Sequence, residues 1–213
     1  IAALDRLLVI DNGKIVEDLD VPLPRPRDED VRASQAAVQL TKSIIENLLK
    51  FARQEKTVMD RVDVTALVDE AMKLVEHQLN MNSVKIARSI PAGLPPIFAN
   101  ANQLQQVLMN LSINAQHAME KNGGTLTVSA LETKLPDGRD AVEIRVNDSG
   151  SGIPREIMAK IFEPFFTTKP AGKGTGLGLS VTFGIIRDHK GQVLVESQVG
   201  VGTTFRLILP VAP

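Results

Sequence analysis

The chain of 213 residues contains no cysteine, no tryptophan and no tyrosine. Without cysteine there are no disulfides, no thiolate metal sites and no thiol nucleophile, and a reducing compartment fits. With only seven phenylalanines for aromatic rings, rows of stacked nucleobases have little to rest on. An excess of either charge is also missing, since 24 Lys and Arg face 25 Asp and Glu. No long basic block interrupts that balance, so nucleic acid is not an expected partner. No apolar run approaches the roughly 20 residues that cross a bilayer. This segment is therefore expected to make no membrane contact and to lie in the cytoplasm, alone or as part of a membrane-anchored protein. With Ile1 as its first residue, the chain is expected to have sequence upstream.

What is present divides into three stretches. Residues 1–30 carry Leu7 to Ile10, then Asn12-Gly13, then Ile15-Val16, a pattern for a hairpin closed by a tight turn. A helix end followed by a loop is the rival reading. Pro22, Pro24 and Pro26 then predict an extended linker. Residues 31–57 predict a helix, because Ala37, Leu40, Ile44, Leu48 and Phe51 recur at three- and four-residue steps. Its wide stripe implies burial against its own domain or, in the sharper reading, a helical hairpin that dimerises into a four-helix bundle. Residues 60–213 alternate strand and helix patterns. Short strands are expected at 62–64 and 97–98, and longer ones at 84–90, 126–131, 142–148, 193–196 and 203–209. Helices are expected at 66–79, 103–121 and 179–188, the first with Leu67, Val68, Ala71, Leu74 and Val75 as its stripe. The implied fold class is α+β: a two-layer α/β sandwich with a mixed, mostly antiparallel sheet covered by helices.

Chemistry concentrates in the second half. Asn110, Asn114 and His117 form a polar ridge at i, i+4 and i+7 beside an apolar stripe of Leu104, Val107, Leu108, Leu111 and Ala115. Asparagine is a poor residue for a helix interior. The pair suggests amide oxygens offered to a hard cation such as Mg²⁺, against the alternative of a solvated face. Asp148 shares the strand parity of Val142, Ile144 and Val146, so its carboxylate points to the buried side and needs a donor. An adenine amine would serve, with Thr203 within reach of the same base. Bonding to the amides of its own loop is the alternative. Gly150 and Gly152 would let backbone approach a flat ligand. From Gly172 to Gly178 the glycine-rich stretch fits neither the Walker loop nor the dinucleotide fingerprint, lacking Ser or Thr after Gly-Lys and a strand before it. It reads as a flexible flap running into a helix start, with Lys169 and Lys173 placed for phosphate oxygens. A plain surface loop is the alternative.

Taken in order, these segments resemble the ATP-binding catalytic domain of bacterial sensor histidine kinases, within the gyrase/Hsp90/MutL-like superfamily. Asn110 to Ala115 is similar to the N box, Asp148 to Gly152 to the first glycine box and Phe162 to Phe166 to the F box. Gly174 to Leu179 is similar to the second glycine box and Gly200 to Thr203 to the last glycine motif. The match spans roughly residues 60 to 210, and the 31–57 helix is similar to the second helix of the dimerisation domain.

The resemblance implies a Bergerat-type ATP-binding fold, with ATP and Mg²⁺ bound. Asp148 would hold the adenine amine, Asn114 the metal, and Asn110 would lie nearby. Gly150, Gly152, Ile153, Lys169, Lys173, Gly174, Thr175, Gly176, Leu177, Gly178 and Thr203 would line the nucleotide. His117 would either contact phosphate or be an ordinary surface histidine. The resemblance further implies γ-phosphoryl transfer to a histidine, a homodimer through the 31–57 helix and a response regulator receiver domain as partner. None of His77, His117 and His189 has the context of the family's acceptor histidine, so the acceptor is expected upstream of Ile1 or is absent. An ATPase clamp of the gyrase/MutL/Hsp90 kind and a non-catalytic nucleotide-binding dimerisation module remain the alternatives.

Overall fold

The computed structural model describes residues 6–11, 14–20, 58–169 and 174–213. The helix expected over 31–57, the proline linker and Lys173 lie outside the described residues. Two units are present. In the first, β1 (Arg6–Asp11) and β2 (Lys14–Asp20) pair antiparallel, with Asp11 opposite Lys14 and a register shift between Val9 and Ile10.

The second unit begins with β3 (Asp60–Val62) and α1 (Val64–Met81). Val64 opens the helix rather than ending a strand, because Asp63 caps it: its carboxylate accepts the Ala66 N–H at 3.0 Å. Then follow β4 (Val84–Ser89), β5 (Ile97–Ala99) and α2 (Ala101–Ala118). Asn100 caps α2 by accepting from the Gln103 N–H at 2.9 Å, which starts the helix two residues earlier than its apolar periodicity predicts. The unit ends with β6 (Gly124–Lys134), β7 (Asp140–Asp148), α3 (Gly178–Asp188), β8 (Gln192–Gln198) and β9 (Gly202–Pro210).

Five strands form one sheet in the order β4-β6-β7-β9-β8. Only β4 and β6 run parallel, because α2 crosses over between them; short turns join the antiparallel pairs β6–β7 and β8–β9, and β7 and β9 pair antiparallel across the flap, α3 and β8. β3 and β5 form a separate antiparallel pair. One face of the large sheet is apolar by alternation. Leu126, Val128 and Ala130 of β6, Val142, Ile144 and Val146 of β7, and Phe205, Leu207 and Leu209 of β9 are all buried there. They share one core with Leu67, Val68, Ala71, Met72, Val75 and Leu79 of α1 and with the stripe of α2. Each fully buried Leu or Ile side chain contributes roughly 1.5–3 kcal/mol. Leu74, expected in the α1 stripe, lies on its flank and is 62% exposed, while Met72 is fully buried.

The opposite sheet face is polar near its centre. Glu143 of β7 is 1% exposed because Arg206 grips it from β9, through Nε at 2.7 Å and Nη2 at 2.9 Å, with Arg145 alongside. No helix among the described residues is long and apolar enough to cross a membrane.

Candidate nucleotide-binding site

One group of the candidate residues is built on β7 and β9. Asp148 closes β7 on its buried parity and lies opposite Thr203 in the β7–β9 register. Both side chains are buried. Asp148 Oδ1 accepts the Gly150 N–H at 2.8 Å, so the local turn bond and the inward orientation coexist. Burial pushes the Asp148 carboxyl above its usual range, against amide donors from Gly150 and Thr203 that pull it down. A buried carboxylate beside glycine turns is the kind of group that marks a candidate binding site.

The glycines hold this corner tight. A Cβ on Gly150 would lie 2.6 Å from the Ala118 Cβ, and the Ser151 N–H donates to the Ala118 carbonyl at 3.0 Å. The loop after β7 is thereby pinned to the end of α2, one turn past Asn114. Gly152, at φ +71°, runs against the Gln198 carbonyl, where no side chain fits. Gly202 passes so close to the Asp148 carbonyl that a Cβ would overlap it.

The other group is built on α2 and the flap. Asn110 donates its Nδ2 to the Gly178 carbonyl at 3.3 Å, tying α2 to the first residue of α3. Lys169, half-buried in the flap, puts Nζ 3.4 Å from Asn114 Oδ1 and 3.0 Å from His117 Nδ1. Burial holds the Lys169 ammonium below the usual lysine range, partly offset by Glu120. No side chain caps the first turn of α3, whose leading amides are therefore open to an anion. Gly176, at φ +69°, lies against the backbone of Phe165, where a Cβ would sit 2.5 Å from its carbonyl oxygen; Phe165 itself has φ +65°. From Phe162 to Lys169 the chain forms turns and bends, with no strand or helix, and Phe162 packs on Phe183 of α3 at 5.4 Å between ring centroids.

Of the residues singled out in the sequence, the fold groups Asn110, Asn114, His117, Lys169 and Gly178, and separately Asp148, Gly150 and Thr203. Gly152 and Ile153 join the second group through Ser197, whose hydroxyl accepts the Ile153 N–H at 2.8 Å and lies 3.0 Å from Thr203 Oγ1. Thr175 and Leu177 lead into α3, the Leu177 N–H meeting Thr175 Oγ1 at 3.4 Å, and Gly174 borders Thr167 and Lys169. Ser197 is a further residue of this group, not among those expected from the sequence, although it shares the inward parity of Val193 and Val195 on β8, the same signal that singles out Asp148.

A deep carboxylate under glycine turns, an amide-bearing helix and a glycine-rich flap define a nucleotide-binding α/β sandwich. Residues 99–213 match the family described as histidine kinase-, DNA gyrase B- and HSP90-like ATPase, and the chain belongs to that family. The sensor kinase CckA of Brucella abortus (strain 2308) is 36% identical over 178 residues, covering 79% of this chain and 19% of its own length. Sporulation kinase E of Bacillus subtilis (strain 168) is 35% identical over 170 residues, covering 79% and 22%. The structure of full-length ShkA in complex with AMPPNP matches with a TM-score of 0.67 at 28% identity, over 85% of this chain and 38% of that one. The chain thus spans about a fifth of the length of these two curated relatives.

Proposed function

We propose that this chain is the ATP-binding catalytic part of a two-component sensor kinase, which transfers the γ-phosphoryl group of ATP to a histidine. The observation that carries the reading is the pairing of two unlike ends on one fold. A buried carboxylate, Asp148, lies under the sheet end, and a cluster of Asn110, Asn114, Lys169 and the α3 amides lies along α2.

In this reading Asp148 accepts the adenine amine, with Thr203 and Ser197 beside it, and Gly150, Gly152 and Ile153 lie along the base. Lys169 and the amides from Gly176 to Gly178 hold phosphate oxygens, and Lys173 adds a second cation. Asn114 fits a magnesium ion, since its amide oxygen is a hard ligand already turned toward the Lys169 ammonium at 3.4 Å. Magnesium bound there would neutralise charge on the phosphates. The protein's own part is positioning and charge balance, which is most of what phosphoryl transfer requires.

Asn110 is a carboxamide and donates to Gly178. It offers no general base for activating water, which favours transfer over the hydrolysis of a clamp ATPase. The helix at 31–57 is proposed to supply a homodimeric bundle, a response regulator receiver domain to take the phosphoryl group onward, and the cytoplasm to be the site of action. Supplying the bundle helix that bears an acceptor histidine, with ATP and magnesium, should yield acid-labile, alkali-stable phosphorylation. Label on serine or threonine would contradict the reading.

A further inference from the structure

His189 lies outside the nucleotide site, yet it is 1% exposed and both its ring nitrogens are engaged. It is the C-cap of α3. Past it, Lys190 turns at φ +58°, and the N–H groups of Lys190 and Gly191 reach back to the carbonyls of Arg187 and Ile186, both at 2.9 Å. This double bond pattern locks the helix end. The imidazole Nε2 faces the Asn100 backbone N–H at 2.9 Å, and Nδ1 faces the Ile185 carbonyl at 2.8 Å. An N–H only donates and a carbonyl only accepts. The ring therefore carries its proton on Nδ1 and accepts through Nε2.

Asn100 is the N-cap of α2, the helix that carries Asn110 and Asn114. The start of α2 thus meets the end of α3 at His189, while Asn110 meets the start of α3 at Gly178. The helices run antiparallel and are cross-linked twice. The intervals match: ten residues from Asn100 to Asn110 rise about 15 Å, and eleven from Gly178 to His189 rise about 16.5 Å. Apolar packing between the helices is non-directional and tolerates sliding. A hydrogen bond with fixed donor and acceptor does not.

We infer that His189 is a positioning residue for nucleotide binding: its bond to Asn100 sets the axial register of α3 on α2. It thereby sets where the α3 amides stand relative to Asn110 and Asn114. The inference rests on the proposed nucleotide site, but the register itself can be read without ligand.

Two variants separate the two bonds. In His189→Gln the side-chain oxygen takes the place of Nε2 and still accepts from Asn100. In His189→Asn the amide nitrogen takes the place of Nδ1 and serves only Ile185. Calorimetric titration of the full chain with AMPPNP and magnesium should show His189→Gln within about twofold of wild type and His189→Asn about tenfold weaker. Combining His189→Asn with Asn110→Ala should cost less than the two singles added, whereas residues this far apart are ordinarily additive. Hydrogen exchange on the ligand-free protein should quicken at 178–181 in His189→Asn and not in His189→Gln. Equal affinities for the two variants, additive losses, or exchange that rises uniformly across the fold would each overturn the inference. A wild-type chain that binds no AMPPNP would sink the functional reading, leaving the exchange pattern to decide the register.

Discussion

Asp148 and Thr203 stand directly opposite each other on antiparallel β7 and β9, both buried, with Gly202 pressed against the Asp148 carbonyl. The ends of these two interior strands turn an inward carboxylate toward whatever enters beneath them. Folding therefore carries a cost that ligand binding can relieve. Burial holds the folded Asp148 carboxyl above its usual range, so the unfolded chain ionises first as pH rises. The resulting penalty is absent below the unfolded carboxyl's value of about 4 and complete above the folded one. Asp148→Asn keeps an acceptor for the Gly150 N–H and removes the penalty. Its melting temperature without ligand should equal or exceed wild type at pH 7, the difference closing toward about pH 3.

Lys169 is the one described cation placed at both Asn114 and His117. If it serves the phosphates, Lys169→Ala should weaken binding of a triphosphate by about tenfold, roughly 1.4 kcal/mol. Affinity for adenosine should stay unchanged, and triphosphate binding should become less sensitive to salt. Titrations of both ligands at two salt concentrations check this.

Gly176 combines a left-handed φ with a backbone neighbour that allows no Cβ. Gly176→Ala should shift the flap away from Phe165, at a strain of about 1–3 kcal/mol if the geometry persists. Nucleotide affinity should fall while the melting temperature of the sheet core changes little, since the flap contributes little to that core. A full-length Tm drop without loss of affinity would contradict this placement.

Glu143 sits on the other face, remote in role from the site. The Arg206 hydrogen bonds, then Arg145, hold its carboxyl below the usual range despite burial. A depressed carboxyl stabilises the fold above its unfolded value and loses that contribution as pH falls through the folded one. Glu143→Ala should destabilise by about 2 kcal/mol at pH 7, because it leaves Arg206 without its buried partner. The loss should shrink in acid, and chemical denaturation at pH 7 and at about pH 3 measures both. Nucleotide affinity should not change.

Much of this architecture is legible from periodicity. The inward parity of Val142, Ile144 and Val146 carried Asp148 with it, and the Asn110–Asn114 spacing put both amides on one ridge of α2. Boundaries were harder where a cap outranks the apolar pattern, as Asp63 and Asn100 show by starting helices earlier than their stripes suggest. Leu74 departs from the expected stripe because a leucine on a stripe's flank is indistinguishable from one at its centre until the partner layer is known. The meeting of Lys169 with Asn114, and of His189 with Asn100, joins residues 55 and 89 positions apart. No local pattern encodes such contacts; they follow from sheet order and helix packing.

The central claim is that Asp148 reads the amino group of adenine. Calorimetry comparing ATP with ITP, which presents a carbonyl in place of that amine, tests it most directly. Wild type should bind ATP at least about 30-fold more tightly, roughly 2 kcal/mol, and Asp148→Asn should lose most of that preference. Equal affinity of wild type for the two nucleotides, or a preference that survives in Asp148→Asn, would contradict the account.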